Sequence, residues 1–575
     1  MIIQKYINIF NVLEARQKMR AAYFAFFVLT IMILETFSLG MFYPFLQSIT
    51  NNNVSSKLTE LLLKFNDLVN LNLDIELTAL LIFALIIVIK NFFIYFFDFW
   101  QITFLRDLRI DFKTKILKKH FNDDYEKISN IKTSVYIRDF NSTIEVCIKT
   151  LQNIMLVIVE FFVFIGLVSL LIFIQSSEII YFVLIIGLIA TIFTIAVKNI
   201  LKHYGAQTMH LRERSMNKLL DILNSTKEIL MFKKSSIFTK QFRKIEFKTL
   251  NLSRKVTMIQ KFPKVFFEIL VIVSFTVFIF IMSFNNVEID ELIPLLGIFF
   301  LATIRIMPAV SKIVLYTSKL QYAEIATLKI VEDIKIYNEI YSKKIVFEKI
   351  KFNKSIEMKN LSFKYKSRDK QILDNVNLII NKGDYIGILG PSGGGKSTLI
   401  DILSGLLVPS NGEIIIDDKV IQNLKSTLWI ENIGYLTQEN NLLDESILTN
   451  ITLEFNEDKI DKNLFNDVCQ KTGLIELINN LPERFETNVG ENGFALSGGE
   501  KQRIGIARVL YAKKELLIFD ESTSNLDDTN KTKIISTINN LSSEKTILII
   551  SHDKNVINNC KKRFVVENRS LKQLN

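Results

Sequence analysis

The chain has 575 residues, of which 49% are hydrophobic and 22% charged, and its mean hydropathy is +0.27. That balance excludes a disordered chain, points to membrane segments and, at roughly 150 residues per domain, leaves room for about four units or two large ones. Seventy Lys and Arg against 59 Asp and Glu leave a charge of +11, which fits a nucleic acid or a membrane surface until the charges are located. Cys147, Cys469 and Cys560 are too few and too scattered for a disulfide framework or a zinc site.

A helix rises about 1.5 Å per residue, so crossing a hydrocarbon core of about 30 Å takes about 20 mostly apolar residues. The stretches Ala21–Leu46, Leu77–Gln101, Leu151–Gln175, Ile179–Val197, Val265–Phe284 and Leu292–Tyr316 qualify, which predicts six spans. The first is too long for a cleavable signal peptide and contains Glu35 and Pro44. Basic residues gather before span one (Arg16, Lys18, Arg20), after span two (Arg106 to Lys119) and between spans four and five (Lys198 to Lys261). The loops Gln175–Glu178 and Asn285–Glu291 have no Lys or Arg, and the loop after span one has only Lys57 and Lys64. The basic segments are therefore expected in the cytoplasm, and the positive excess reads as a topology signal, not as nucleic-acid binding.

Residues 102–150 and 198–264 lack Gly/Pro punctuation and read as amphipathic helix projecting from the bilayer into the cytoplasm. Around Val54–Val69 the apolar residues recur at helical spacing, which predicts a short outer helix packed on the spans or touching lipid. Charges inside spans are costly, about 2.5–3.5 kcal/mol at a helix centre on insertion scales. Lys90 lies in span two, Arg305 in span six and Lys264 at the entry to span five, with Glu35, Glu160 and Glu268 as candidate partners. Either these groups neutralise one another or the cations line a cavity for an anionic group such as a phosphate.

Ser318–Tyr341 reads as a polar-leaning helical linker, and short β runs alternate with helices from about Ile356. The expected division is a transmembrane domain at 1–320, a linker at 321–355 and a soluble α/β domain at 356–575. Gly390-Pro391-Ser392-Gly393-Gly394-Gly395-Lys396-Ser397-Thr398 follows the apolar run Tyr385–Leu389 and precedes the helical Leu399–Leu407, the strand–loop–helix context of a P-loop. Such glycines let backbone N–H groups converge on phosphates, Lys396 reaches the β- and γ-phosphates, and Ser397 offers a hydroxyl to Mg²⁺. Leu516–Phe519 reads as a buried strand ending in Asp520, placed to hold Mg²⁺, and Glu521, placed to orient or deprotonate water.

Between these lies Leu496-Ser497-Gly498-Gly499-Glu500-Lys501-Gln502-Arg503, and here the chain resembles ATP-binding-cassette (ABC) transporters. The resemblance implies that Tyr365 stacks on adenine and that Gln438 is the Q-loop glutamine, near the metal and the attacking water. It also implies that Thr487–Glu491 form the exporter X-loop, Ser524–Asp527 the D-loop, and that His552 is the switch histidine. Glu500, Asn525 and Asp553 depart from the commoner Gln, Ala and Arg without removing a catalytic group. The family pattern implies ATP and Mg²⁺ as ligands and a homodimer in which Ser497, Gly498 and Gly499 of one copy close over the ATP held by Lys396 of the other. It further implies a bacterial cytoplasmic membrane location, with bends near Asp123–Lys132 and Arg212–Ile222 docking on the cassettes.

The whole chain also resembles bacterial flippases of lipid-linked oligosaccharides (PglK type), through Glu35-Thr36-Phe37, Tyr43-Pro44-Phe45-Leu46 and Arg305-Ile306-Met307-Pro308. That likeness implies a polyprenyl-pyrophosphate oligosaccharide as cargo, with Lys90, Lys264 or Arg305 meeting the pyrophosphate, and a role in protein glycosylation. An exporter of peptides, drugs or other lipids and an ATP-gated channel are the alternatives.

Overall fold

The computed structural model describes residues 9–40, 75–174, 177–284, 289–342, 348–367, 369–391, 393–424, 427–494, 496–521 and 528–574. The outer helix expected around Val54–Val69, the P-loop residue Ser392 and the D-loop Ser524–Asp527 lie outside the described residues. Two compact units emerge, Met1–Asn122 with Ile131–Lys343, and Asp123–Asn130 with Lys344–Asn575.

The first unit is helical, with α1 (Ala15–Gly40), α2 (Ile75–Asn122), α4 (Thr133–Arg138), α5 (Ile144–Ile174), α6 (Ser177–Asn224), α7 (Thr226–Met231), α8 (Ser235–Phe284) and α9 (Ile289–Ser342). The short α3 (Tyr125–Asn130) falls in the second unit. Among the described residues, Ala15–Ser38, Leu80–Asn122, Thr133–Leu170 and Ile185–Asn224 are long and apolar enough to cross a membrane. The fifth and sixth expected spans run through α8 and α9 as continuous helix, which is compatible with six. Phe92, Ile195 and Ile272 are 76%, 68% and 67% exposed, an outward apolar surface that water would not tolerate and lipid would.

Inside the bundle, Phe27, Phe97, Val163, Leu167, Ile306 and Val310 form one buried cluster. Gly205 lets α6 approach α9, since a Cβ there would overlap the Tyr322 carbonyl oxygen. A larger residue would force these helices apart.

The two long stretches expected in the cytoplasm are not unbroken helix. The first is interrupted after Asn122 by α3, α4 and a π-helical turn at Asp139–Thr143. The second bends at 225–234, whereas the expected bend at Arg212–Ile222 lies inside α6. Lys233 closes that bend at φ +54°, with Lys234 N–H donating to the Ile229 carbonyl at 2.9 Å. A residue in this left-handed conformation is usually glycine, and without that glycine the sequence pattern gave no stop.

The second unit carries two sheets. The four-stranded antiparallel sheet runs in the order β2 (Leu373–Asn381), β1 (Ser355–Phe363), β4 (Asn411–Ile416), β5 (Lys419–Ile421). The six-stranded sheet runs in the order β10 (Ser570–Leu574), β9 (Lys562–Glu567), β3 (Tyr385–Leu389), β8 (Thr546–Ile550), β7 (Leu516–Asp520), β6 (Ile433–Leu436). All its pairs are parallel except β9 with β10. Strands β7 and β8 are buried along their whole length, which is why they read as continuous apolar runs and not as alternation. In open α/β sheets ligands gather at the carboxyl ends of such strands, and β3 and β7 end there at the P-loop and at Asp520.

Candidate functional site

The loop after β3 turns into α10 (Lys396–Leu403) through Gly393 and Gly395, at φ +75° and +102°. Left-handed glycines turn successive N–H groups to one side and leave the helix N-terminus open, a ready anion cradle. At Gly395 a Cβ would also press Leu373 Cδ2 at 3.0 Å, so alanine is disfavoured by both conformation and space. Lys396 is 6% exposed, and its Nζ donates to the carbonyls of Gly390 at 2.7 Å and Pro391 at 3.0 Å. The ammonium is thus held across the loop.

At the end of β7, Asp520 Oδ2 accepts from Ser397 Oγ at 3.4 Å and from the Tyr435 hydroxyl at 3.2 Å. Burial raises the Asp520 carboxyl above the ordinary carboxylate range and neighbouring Glu521 adds to this, while the Tyr435 and Ser397 hydroxyls oppose it. Hydroxyl and carboxylate oxygens are hard donors that suit Mg²⁺, which is commonly held by one or two protein oxygens plus substrate phosphates. Among the described residues, no group of three or more His, Cys, Asp or Glu could hold a metal ion.

Glu521 has φ +47°, and its N–H donates to the Ile550 carbonyl at 2.9 Å. Its carboxylate accepts from Gln438 Nε2 at 2.8 Å and lies 3.9 Å from Lys396 Nζ and 3.7 Å from His552 Nδ1. Four side chains named from the sequence therefore converge at one point. The tyrosine expected to stack on adenine, Tyr365, sits edge-on to Phe363 at 4.9 Å with its hydroxyl 3.2 Å from Thr398 Oγ1. A cleft of about 400 Å³ collects Tyr365, Gly393 to Thr398, Gln438 and Glu521, together with Ser129 and Asn130. Ser129 and Asn130 fall in the bend near Asp123–Lys132 that the family resemblance implies docks on the cassette, though neither was singled out, and Tyr435 had no signal in the sequence, because strand register brings it to Asp520.

Ser497, Gly498 and Gly499 do not line that cleft; they open α14 (Gly498–Tyr511), so within one chain they are not joined to Lys396. (The intervening helices α11, α12 and α13 are Ile447–Thr452, Lys462–Lys471 and Ile475–Asn480.) Glu500 gains a structural role here: the Ser497 side chain accepts from Glu500 N–H while Ser497 N–H donates to Glu500 Oε2 at 2.7 Å, a capping box. The departure from glutamine thus preserves the start of the helix.

In the membrane unit, Glu35 is 2% exposed and lies between Lys90 Nζ, at 3.3 Å, and Arg305 Nε. Glu160 is taken by Lys312 at 2.6 Å, a cation the sequence reading did not single out. Lys264 does not share the Glu35 carboxylate; it is 75% exposed and pairs with Glu268 at 3.8 Å, one turn along α8. It stands apart from the other two cations because the i,i+4 spacing supplies its own acid.

Asp401, on α10, is raised to about 6 by burial and by the nearby Asp520 carboxylate. Its folded pKa exceeds the unfolded value, so its stabilising contribution is full below about 3.8 and is lost as pH rises through about 6. Asp401→Asn should therefore raise the melting temperature of the nucleotide-free protein above pH 6, with the gain vanishing towards pH 4. A gain of equal size at pH 4 and pH 8 would show that the carboxylate is not being desolvated.

A helical transmembrane domain followed by a nucleotide-binding ABC domain defines the fold, that of an ABC exporter. Residues 373–524 match the ABC transporter family. The chain superimposes on a bacterial Atm1-family ABC exporter with ATP bound at a TM-score of 0.77 and 18% identity, covering 98% of this chain and 96% of that one. It is similar to the alpha-hemolysin translocation ATP-binding protein HlyB of Escherichia coli O157:H7, 40% identical over 214 residues, 37% of this chain and 30% of the relative. The leukotoxin translocation ATP-binding protein LktB of Mannheimia glucosida is 38% identical over 213 residues, 37% and 30% of the two chains. ABC transporter B family member 29, chloroplastic, of Arabidopsis thaliana is 37% identical over 220 residues, 38% and 35%. The similarity thus spans about a third of the length of these relatives.

Proposed function

We propose that this protein is an ATP-hydrolysing exporter working as a homodimer, and that its cargo is a polyprenyl-pyrophosphate-linked oligosaccharide. The observation that carries the ATPase reading is the meeting of Lys396, Gln438 and His552 around the Glu521 carboxylate beside the P-loop. Lys396 exchanges the Gly390 and Pro391 carbonyls for phosphate oxygens. Glu521 orients the attacking water and takes its proton, Gln438 and His552 hold that carboxylate in place, and Ser397 with Asp520 would hold Mg²⁺, which neutralises charge on the phosphates. Because Ser497 to Gly499 lie outside the cleft of their own chain, a second copy is needed to supply them.

The cargo reading rests on the sequence resemblance and on Lys90 and Arg305 facing one carboxylate, an arrangement with an excess positive charge that suits an anionic head group. The exposed apolar helix surfaces suit a tail that stays in lipid. Reconstitution in liposomes with labelled lipid-linked oligosaccharide tests it: ATP should move the label between leaflets, and Glu521→Gln should stop this. Hydrolysis stimulated by apolar peptides or drugs without glycolipid movement would instead assign peptide or drug export, and ion conductance without coupled turnover a channel.

A further inference from the structure

The cleft's wall is not built from the cassette residues alone. Segment Asp123–Asn130 groups with the second unit although it follows α2 in the chain, and Ser129 and Asn130 face the same space as Tyr365 and Gly395. One turn earlier on α3, Glu126 Oε1 accepts the backbone N–H of Lys366 at 2.6 Å. That peptide is the one that follows Tyr365. The turn of α3 is itself fixed, since Ser129 Oγ and Asn130 Nδ2 both donate to the Glu126 carbonyl, at 3.1 and 2.8 Å. Tyr365 is consequently held at two ends, through its hydroxyl by Thr398 and through the next peptide by Glu126.

Lys366 follows β1, where the chain has left the sheet, and among the described residues its N–H has no strand partner. An N–H donating to a carboxylate forms a charge-assisted bond, short and about twice as strong as a neutral one. A ring that must present one face to a nucleobase gains affinity when it is already set in that orientation. We propose that Glu126 is a positioning residue of the nucleotide site, setting the Tyr365 ring against the base by anchoring the Lys366 peptide, so that ATP affinity depends on the segment between α2 and α4. The inference rests on the ATPase reading above and names a residue that reading did not use.

The test uses the full-length protein in liposomes. Removing one charge-assisted hydrogen bond worth about 1.5 kcal/mol, Glu126→Ala should raise KM for ATP about tenfold, with kcat falling by less than KM rises. Glu126→Gln keeps a carbonyl acceptor of the same reach and should recover most of the affinity. Inhibition by inorganic tripolyphosphate, which has phosphates and no base, should be equal in wild type and Glu126→Ala. In a Tyr365→Ala background, Glu126→Ala should add little, because the two act as one unit. Equal weakening of ATP and tripolyphosphate, or additive losses in the double variant, would overturn the proposal and assign Glu126 a general structural role. If the wild type does not hydrolyse ATP at all, the functional reading fails instead.

Discussion

Glu521→Gln is expected to reduce ATP hydrolysis by about 10²–10⁴-fold, the range for loss of a positioned general base. The substitution removes the proton acceptor and little else. Gln438 Nε2 can still donate to a side-chain oxygen at position 521, and the N–H bond to Ile550 that holds the left-handed backbone is untouched. Lys396 remains tied into the P-loop, so ATP should still bind, and the bound state should accumulate because the step that ends it is missing. Parallel measurement of phosphate release and nucleotide binding separates the two effects. Hydrolysis above a tenth of the wild-type rate would exclude Glu521 as the base.

The second large effect is on stability. Glu35 is the shared counter-charge of Lys90 and Arg305, and Glu35→Gln would leave two cations facing each other in a place where the carboxylate is 2% exposed. Breaking a buried pair from one side costs about 3–5 kcal/mol, because the surviving charge has lost its partner and does not regain water. The melting temperature in detergent should fall accordingly. Adding Lys90→Met to Glu35→Gln should recover part of the loss, since it removes one of the uncompensated charges, and this non-additivity is what distinguishes an electrostatic cluster from simple packing. If Glu35→Gln melts like the wild type, the three groups are solvated and Glu35 is not their keystone.

Separate neutralisation of Lys90 or Arg305 bears on cargo. Each removes an excess cation from the Glu35 carboxylate, so glycolipid movement should suffer more than ATP turnover. Unchanged translocation in both variants would dissociate this cluster from the head group.

The candidate nucleotide site can be proposed from the residues because its motifs are short contiguous runs. Gly390 to Thr398 is read as a P-loop from the local sequence of strand, glycines and helix, and Asp520 and Glu521 from a buried strand ending in acids. The apolar spans were legible for a similar reason, since a bilayer imposes a length that composition alone can meet. Where recognition fell short, a local signal was missing. The bend at 225–234 is closed by Lys233 without the glycine that usually marks such a turn, and the sequence placed it some ten residues early.

Sequence by itself determined that this chain has apolar helices of membrane length, a glycine-rich loop between a strand and a helix, and an acid pair, since each arises from neighbours within a few positions. Tertiary structure alone decided which of the distant candidate charges meet, in that Glu35 took Lys90 and Arg305 and Glu160 took Lys312, whereas Lys264 pairs with Glu268 through the i,i+4 spacing already present in the sequence. It also decided that Tyr435 would bond to Asp520 and that Glu126 would hold the peptide after Tyr365, 240 residues away. Attraction between charges and hydrogen-bonding groups acts over a few ångströms in space, and separation along the chain carries no information about that distance until the backbone has folded.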